Sequence, residues 1–157
     1  MKTFFLIFFL MISSLNIFSQ SKGISTGLYV VIPKDSCSAY KNINKITYQS
    51  DTLCIKQKPL ISVKDIESCF ADSTVLDGKA AYALNINLKK TARNKFETAT
   101  RKNVGNKIAM IIDRRVVMTA VLKDPITTGR LTVSGESRAK LKDLEIKLNK
   151  EIKKTDK

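Results

Sequence analysis

The chain has 157 residues, with 28 lysines and arginines against 14 acids, three cysteines and no histidine, for a formal net charge of +14. Without histidine there is no imidazole base for a serine, cysteine or metal-water mechanism near neutral pH. With no close Cys-x-x-Cys spacing there is no metal-ligand set either, so neither metal nor cofactor is expected and the reading is non-enzymatic.

In chain order, Lys2 is followed by an unbroken apolar run from Phe4 to Ile12, softened by Ser13 and Ser14 and closing on Ile17-Phe18-Ser19-Gln20. A basic start, an apolar centre and a small residue at the cut are the pattern of an export signal. Residues 1–19 are therefore expected to be a signal peptide cleaved near Ser19/Gln20, placing the mature chain in the periplasm or outside the cell. The run is shorter than the ~20 apolar residues that span hydrocarbon, and no other stretch approaches that length.

Residues 20–61 form an N-terminal unit of strands and loop. Leu28 to Ile32 is an apolar, β-branched run ending at Pro33, residues 34–45 are polar and turn-rich, and Ile46–Gln49 with Thr52–Lys56 suggest a hairpin around Ser50-Asp51. In an export setting disulfides persist. Three pairings of Cys37, Cys54 and Cys69 are open. Cys37 with Cys54 is preferred, because Cys69 sits beside Phe70 on an apolar pattern and reads as a small buried hydrophobe.

From residue 62 to 150 the patterns sharpen. Ser62 to Phe70 carries Val63, Ile66, Cys69 and Phe70 at helical spacing behind a Ser62 cap, which predicts a short amphipathic helix. From Ala81, Tyr82, Leu84, Ile86 and Leu88 alternate with smaller or polar residues, the period of a half-buried strand. At Lys89 the period changes. Ala92, Phe96 and Ala99 recur at spacings of four and three, predicting a helix with a basic outer face that stops at Asn103-Val104-Gly105-Asn106.

Lys107–Ile112 and Val116–Leu122 then flank Asp113-Arg114-Arg115 as an antiparallel hairpin. Leu131–Val133 is a last strand, and Ser134-Gly135 introduces a terminal helix with an apolar stripe of Leu141, Leu144, Leu148 and Ile152. Residues 151–157 form a polar tail expected to fray. The order predicts an α+β domain, a mainly antiparallel sheet with helices packed on one face.

Several of these residues, in this order, resemble a known pattern: Leu84-Asn85-Ile86-Asn87-Leu88, then Phe96 and Thr100, Asn103-Val104-Gly105-Asn106-Lys107-Ile108-Ala109, Ile111-Ile112-Asp113, Val116-Val117, Ile126, Gly129 and Val133-Ser134-Gly135. They resemble the head subdomain in the first periplasmic domain of the SecD/SecDF preprotein translocase. The sequence departs from that family at Ala120-Val121, where Ala-Pro is usual, and at Glu136-Ser137, where Phe-Thr is usual. With no second apolar run of spanning length, the expectation is a head-like domain apart from the proton-coupled membrane part of the translocase, whose function needs membrane-spanning ionisable groups.

The resemblance implies binding of unfolded or extended polypeptide, or another role in export and envelope protein handling. Lys89, Lys90, Arg93, Arg101 and Arg114 are then the candidate electrostatic contacts, steering acidic segments. The alternative is an interaction module docking to a fixed envelope partner, with the terminal helix as its surface, or to an anionic surface. Nucleic acid is not favoured, because the basic residues are dispersed with no arginine-rich block and no aromatic interleaving. Partner identity and oligomeric state are not encoded legibly.

Overall fold

Side-chain alternation along the central strands builds two cores at once. In β1 (Gly27–Ile32) every residue is buried, as expected of a strand covered on both faces. Leu28 enters one core with Ile108, Met110 and Ile112 of β7 (Lys107–Ile112). Tyr29 and Val31 enter the other with Ala109 and Ile111.

The computed structural model describes residues 23–76, 79–135 and 137–156. The expected signal peptide and its cleavage bond lie outside the described residues.

The remaining strands are β2 (Ile43–Tyr48), β3 (Asp51–Lys56), β4 (Ile61–Ser62), β5 (Ile66–Leu76), β6 (Lys79–Leu88), β8 (Arg115–Val121) and β9 (Arg130–Gly135). The helices are α1 (Lys90–Arg101) and α2 (Arg138–Thr155). One sheet has the order β2-β3-β1-β7-β8, with β4 pairing beside β3 on β1; the second has the order β5-β6-β9. Every pairing is antiparallel.

The first sheet curls until β2 and β8 approach each other. Ile46, Ile55, Tyr29, Ala109 and Ile111 fill the inside of that curl, with Val116 packed against them. The larger core lies on the sheet's other face. There Leu84, Ile86 and Leu88 of β6, Leu131 and Val133 of β9, Phe96 of α1 and Leu141, Leu148 and Ile152 of α2 meet Leu28, Met110 and Ile112. This is the mainly antiparallel α+β arrangement expected, with both helices serving one core.

Local chemistry explains the joints. Asp113 and Arg114 both have positive φ, 49° and 61°, the backbone of a two-residue hairpin turn that matches strand twist. Gly105, at φ 85°, ends the α1 segment and donates its N–H to the Leu122 carbonyl at 2.8 Å. Thr100, fully buried, donates to the Phe96 carbonyl at 3.0 Å and accepts the Ile126 N–H at 3.0 Å, tying α1 to the loop before β9. At Gly27 an added Cβ would collide with the Ile61 carbonyl oxygen, so glycine lets β4 close against β1.

Two expectations are corrected. The helix expected over Ser62–Phe70 is a single 3₁₀ turn, Val63–Asp65, followed at once by β5. The Asp65 carboxylate does accept from Ser62, from its N–H at 2.8 Å and its hydroxyl at 2.9 Å. The misleading spacing comes from a bulge: Ile66 faces Leu88 and Ser68 faces Asn87, leaving Glu67 unpaired. The extra residue puts Ile66 and Cys69, three apart, on the same buried side of a strand.

Ser134-Gly135, expected to introduce the terminal helix, still pairs with β6. The terminal helix itself runs Arg138–Thr155, with Ile152 of its apolar stripe buried.

Candidate functional site

The second sheet has two edges, and they differ. On β5 three of the outward-facing backbone groups are taken by side chains. The Ala71 N–H donates to Glu145 Oε2 at 2.9 Å, and Asn149 Nδ2 donates to the Cys69 carbonyl at 3.2 Å. The Ser73 N–H donates to Asp72 Oδ1 at 2.7 Å. Glu145 and Asn149 are four apart on α2 and so share one side of the helix, next to its core stripe. A helix laid along a sheet edge in this way removes its capacity to pair.

Glu145 is set for this role. Its carboxyl is held below the usual range first by the hydrogen bond from Lys142, 2.8 Å away, then by the Ala71 N–H, against the opposing effect of burial. It therefore stays an ionised acceptor. Beside it the Cys69 thiol is pushed up to about 11, mainly by burial and then by the Glu145 charge, so it is a packed thiol and not a nucleophile.

The β9 edge is the open one. Since Cys69 and Ala71 turn their backbone groups away from β6, their partners Ile86 and Leu84 turn theirs toward β9. Leu131 and Val133, opposite those two, answer them. The N–H and C=O of Thr132 and Ser134, with the Arg130 C=O, therefore point outward. Two bonds agree with this parity: Leu88 N–H to the Gly129 carbonyl at 2.9 Å, and Arg130 N–H to Thr128 Oγ1 at 3.3 Å. Among the described residues nothing pairs with Thr132 or Ser134 along this edge. Their side chains are small and exposed.

The five candidate cations are not gathered into one patch. Lys89 pairs with Asp156 at 2.8 Å, and Arg101 with Glu97 at 2.7 Å. Arg93 donates Nε to the Leu88 carbonyl at 3.4 Å, and its side chain lies against Gly129. Lys90 and Arg114 are exposed and make no ion pair among the described residues. Arg114 lies at the far end of β7 from Arg101, about 20 Å along a six-residue strand. Three of the five thus brace α1, a role that charge counting does not reveal.

The terminal helix does not offer a broad apolar outer face. Leu141, Leu148 and Ile152 are buried, and Ile146 is the helix's exposed large hydrophobe. In the sequence Glu145 and Asn149 look like ordinary surface residues of an amphipathic helix. Their signal was a polar pair spaced by four beside an apolar stripe. The β9 edge had no side-chain signal, since its groups are backbone.

The family model described as SecDF, P1 head subdomain, matches residues 39–151. Among curated proteins, protein translocase subunit SecD of Thermobaculum terrenum is 29% identical over 89 residues, covering 57% of this chain and 17% of that protein. The SecD subunit of Petrotoga mobilis is 38% identical over 56 residues, covering 36% and 12%. The chain thus spans 12% to 17% of the length of these relatives.

A crystal structure of SecDF in its super-membrane-facing form superposes with a TM-score of 0.58 at 19% identity, covering 78% of this chain and 18% of that one. A structure of SecDF, a membrane component that enhances protein export, superposes with a TM-score of 0.59 at 20% identity, covering 80% of this chain and 63% of that one. At such identity the likeness is one of fold. No helix among the described residues is long and apolar enough to cross a membrane. With the fold shared and the family model matched over most of its length, the chain belongs to the SecDF P1 head subdomain family.

Proposed function

We propose that this domain binds extended polypeptide outside the cytoplasm, in protein export or envelope protein handling, and that β9 is the strand that receives it. The observation that carries the reading is the contrast between edges: β5 is closed by Glu145 and Asn149, whereas β9 presents Thr132 and Ser134 unpaired among the described residues. An extended segment added to such an edge gains main-chain hydrogen bonds whatever its sequence. Small side chains at Thr132 and Ser134 leave room for varied neighbours, which suits a site meeting many chains. Family membership supports the setting, and the apolar leader at residues 4–18 supports export.

The test is binding of an unfolded model polypeptide to the purified chain, followed by fluorescence anisotropy at low and high salt. Thr132→Pro removes an outward N–H without touching the ladder to β6, so it should weaken binding about tenfold while the circular dichroism spectrum stays unchanged. Should that variant fail to fold, amide shift mapping on the unaltered chain must place the perturbation at Thr132 and Ser134. Absence of binding at either salt, or shifts elsewhere only, would overturn the proposal.

A further inference from the structure

The first sheet carries a second surface, unrelated to the β9 edge. Opposed residues in an antiparallel pair share a face, so the β2–β3 hairpin sorts its side chains cleanly. Ile46 and Ile55 point into the inner core. Lys45 opposite Cys54, and Ile43 opposite Lys56, point the other way. Over that outer face folds the 3₁₀ turn Lys34–Ala39, fastened by a disulfide between Cys37 and Cys54 with Cα atoms 6.0 Å apart.

Turn and hairpin enclose two adjoining depressions of about 480 and 390 Å³, which share Tyr40 as a wall. Lys34 and Lys45 line the first; Lys41, Lys56 and Lys58 line the second; no aspartate or glutamate lines either. Of the five lysines only Lys34 has an ionic partner among the described residues. That is Asp51 at 3.5 Å, with both side chains about three-quarters exposed, a pair that water and salt screen heavily. Tyr40, 49% exposed, lines both depressions.

Five lysines lining depressions that share one aromatic ring, with Asp51 beside Lys34 their one ionic partner among the described residues, leave a net positive surface that attracts anions. We infer that this lysine-ringed depression is a binding site for acidic polypeptide segments. Carboxylates would pair with the lysines, and an adjoining apolar or aromatic side chain would lie on the Tyr40 ring. A polypeptide carries carboxylates and an apolar side chain in one segment, which matches lysines and an aromatic ring lining the same depressions. The disulfide holds the turn, and hence Tyr40, against the hairpin before any ligand arrives, which lowers the ordering cost of binding. Because this surface lies on the other sheet, it stands or falls independently of the β9 reading.

The experiment uses the purified chain, a labelled glutamate-rich peptide, its glutamine counterpart, and phosphatidylglycerol vesicles. The glutamate peptide should bind, weaken as salt rises through the range where the Debye length shrinks below about 8 Å, and bind at least about tenfold better than the glutamine peptide. Lys56→Glu with Lys58→Glu should lose about tenfold. Lys150→Glu with Lys154→Glu, the same charge change at exposed positions on α2, should stay within about twofold. Tyr40→Ala should weaken binding without altering its salt dependence. Equal losses in the two double variants, equal affinity for the glutamine peptide, or binding to vesicles but not to peptide would each overturn the assignment.

Discussion

Replacing Glu145 with alanine strips the acceptor from the Ala71 N–H and the partner from Lys142 in one change. The Glu145 side chain is only 14% exposed, so water replaces these contacts poorly. A hydrogen bond to a charged acceptor is worth about 1.5–3 kcal/mol. The Lys142 pair, whose lysine is 58% exposed, adds a few tenths, and alanine's better helix propensity returns about as much. The net loss should be about 1.5–3 kcal/mol, roughly 3–12 °C in Tm at the ~2–4 °C per kcal/mol of a domain of this size. Glu145→Gln keeps an acceptor and loses only the charge, so it should cost about 0.5–1 kcal/mol.

The sign with pH follows from the carboxyl being held below its ordinary range in the folded state. Its contribution is fully present above the unfolded value of about 4.3, and is lost as pH falls through the folded value. The gap between the unaltered chain and Glu145→Gln should therefore be constant near neutrality and close below pH about 4. Urea unfolding followed by circular dichroism across that range measures both. An alanine variant within about 0.3 kcal/mol of the parent at pH 7, or a glutamine gap unmoved by acid, would refute the account of the closed edge.

Gly129→Ala should destabilise by about 1–2 kcal/mol, since Gly129 has φ 66° and a Cβ there would press on Arg93 Cγ; thermal melts report it. Reducing the Cys37–Cys54 bond, which spans 17 residues, should cost about 3 kcal/mol by loop entropy, read as a lower urea midpoint with reductant. The Cys69 thiol should resist a thiol reagent in the folded chain and react at the rate of unfolding. Between pH about 8.5 and about 11 the unfolded chain releases a proton that the folded one keeps. Stability should fall across that window, and less so in Cys69→Ala.

What the sequence determined by itself was everything governed by neighbours in the chain. The alternation in β6, the helical period of α1, the stop at Gly105 and the turn at Asp113 each depend on a few adjacent residues, and each lies where expected. The burial of Cys69 was legible too, although on the wrong element, because a bulge in β5 gives a strand the three-residue spacing of a helix. Only the tertiary structure decided which edge is closed. That depends on α2 bringing Glu145 to Ala71 across 74 positions and Asn149 to Cys69 across 80.

The lysines followed the same division. Their number was plain, but those on α1 are mostly engaged in bracing, while Lys34, Lys41, Lys45, Lys56 and Lys58 gather around Tyr40 because strand pairing and a disulfide fold a polar turn over a hairpin. Charge is a property of composition. Its concentration into one place is a property of which distant backbones hydrogen-bond, and no local pattern records that.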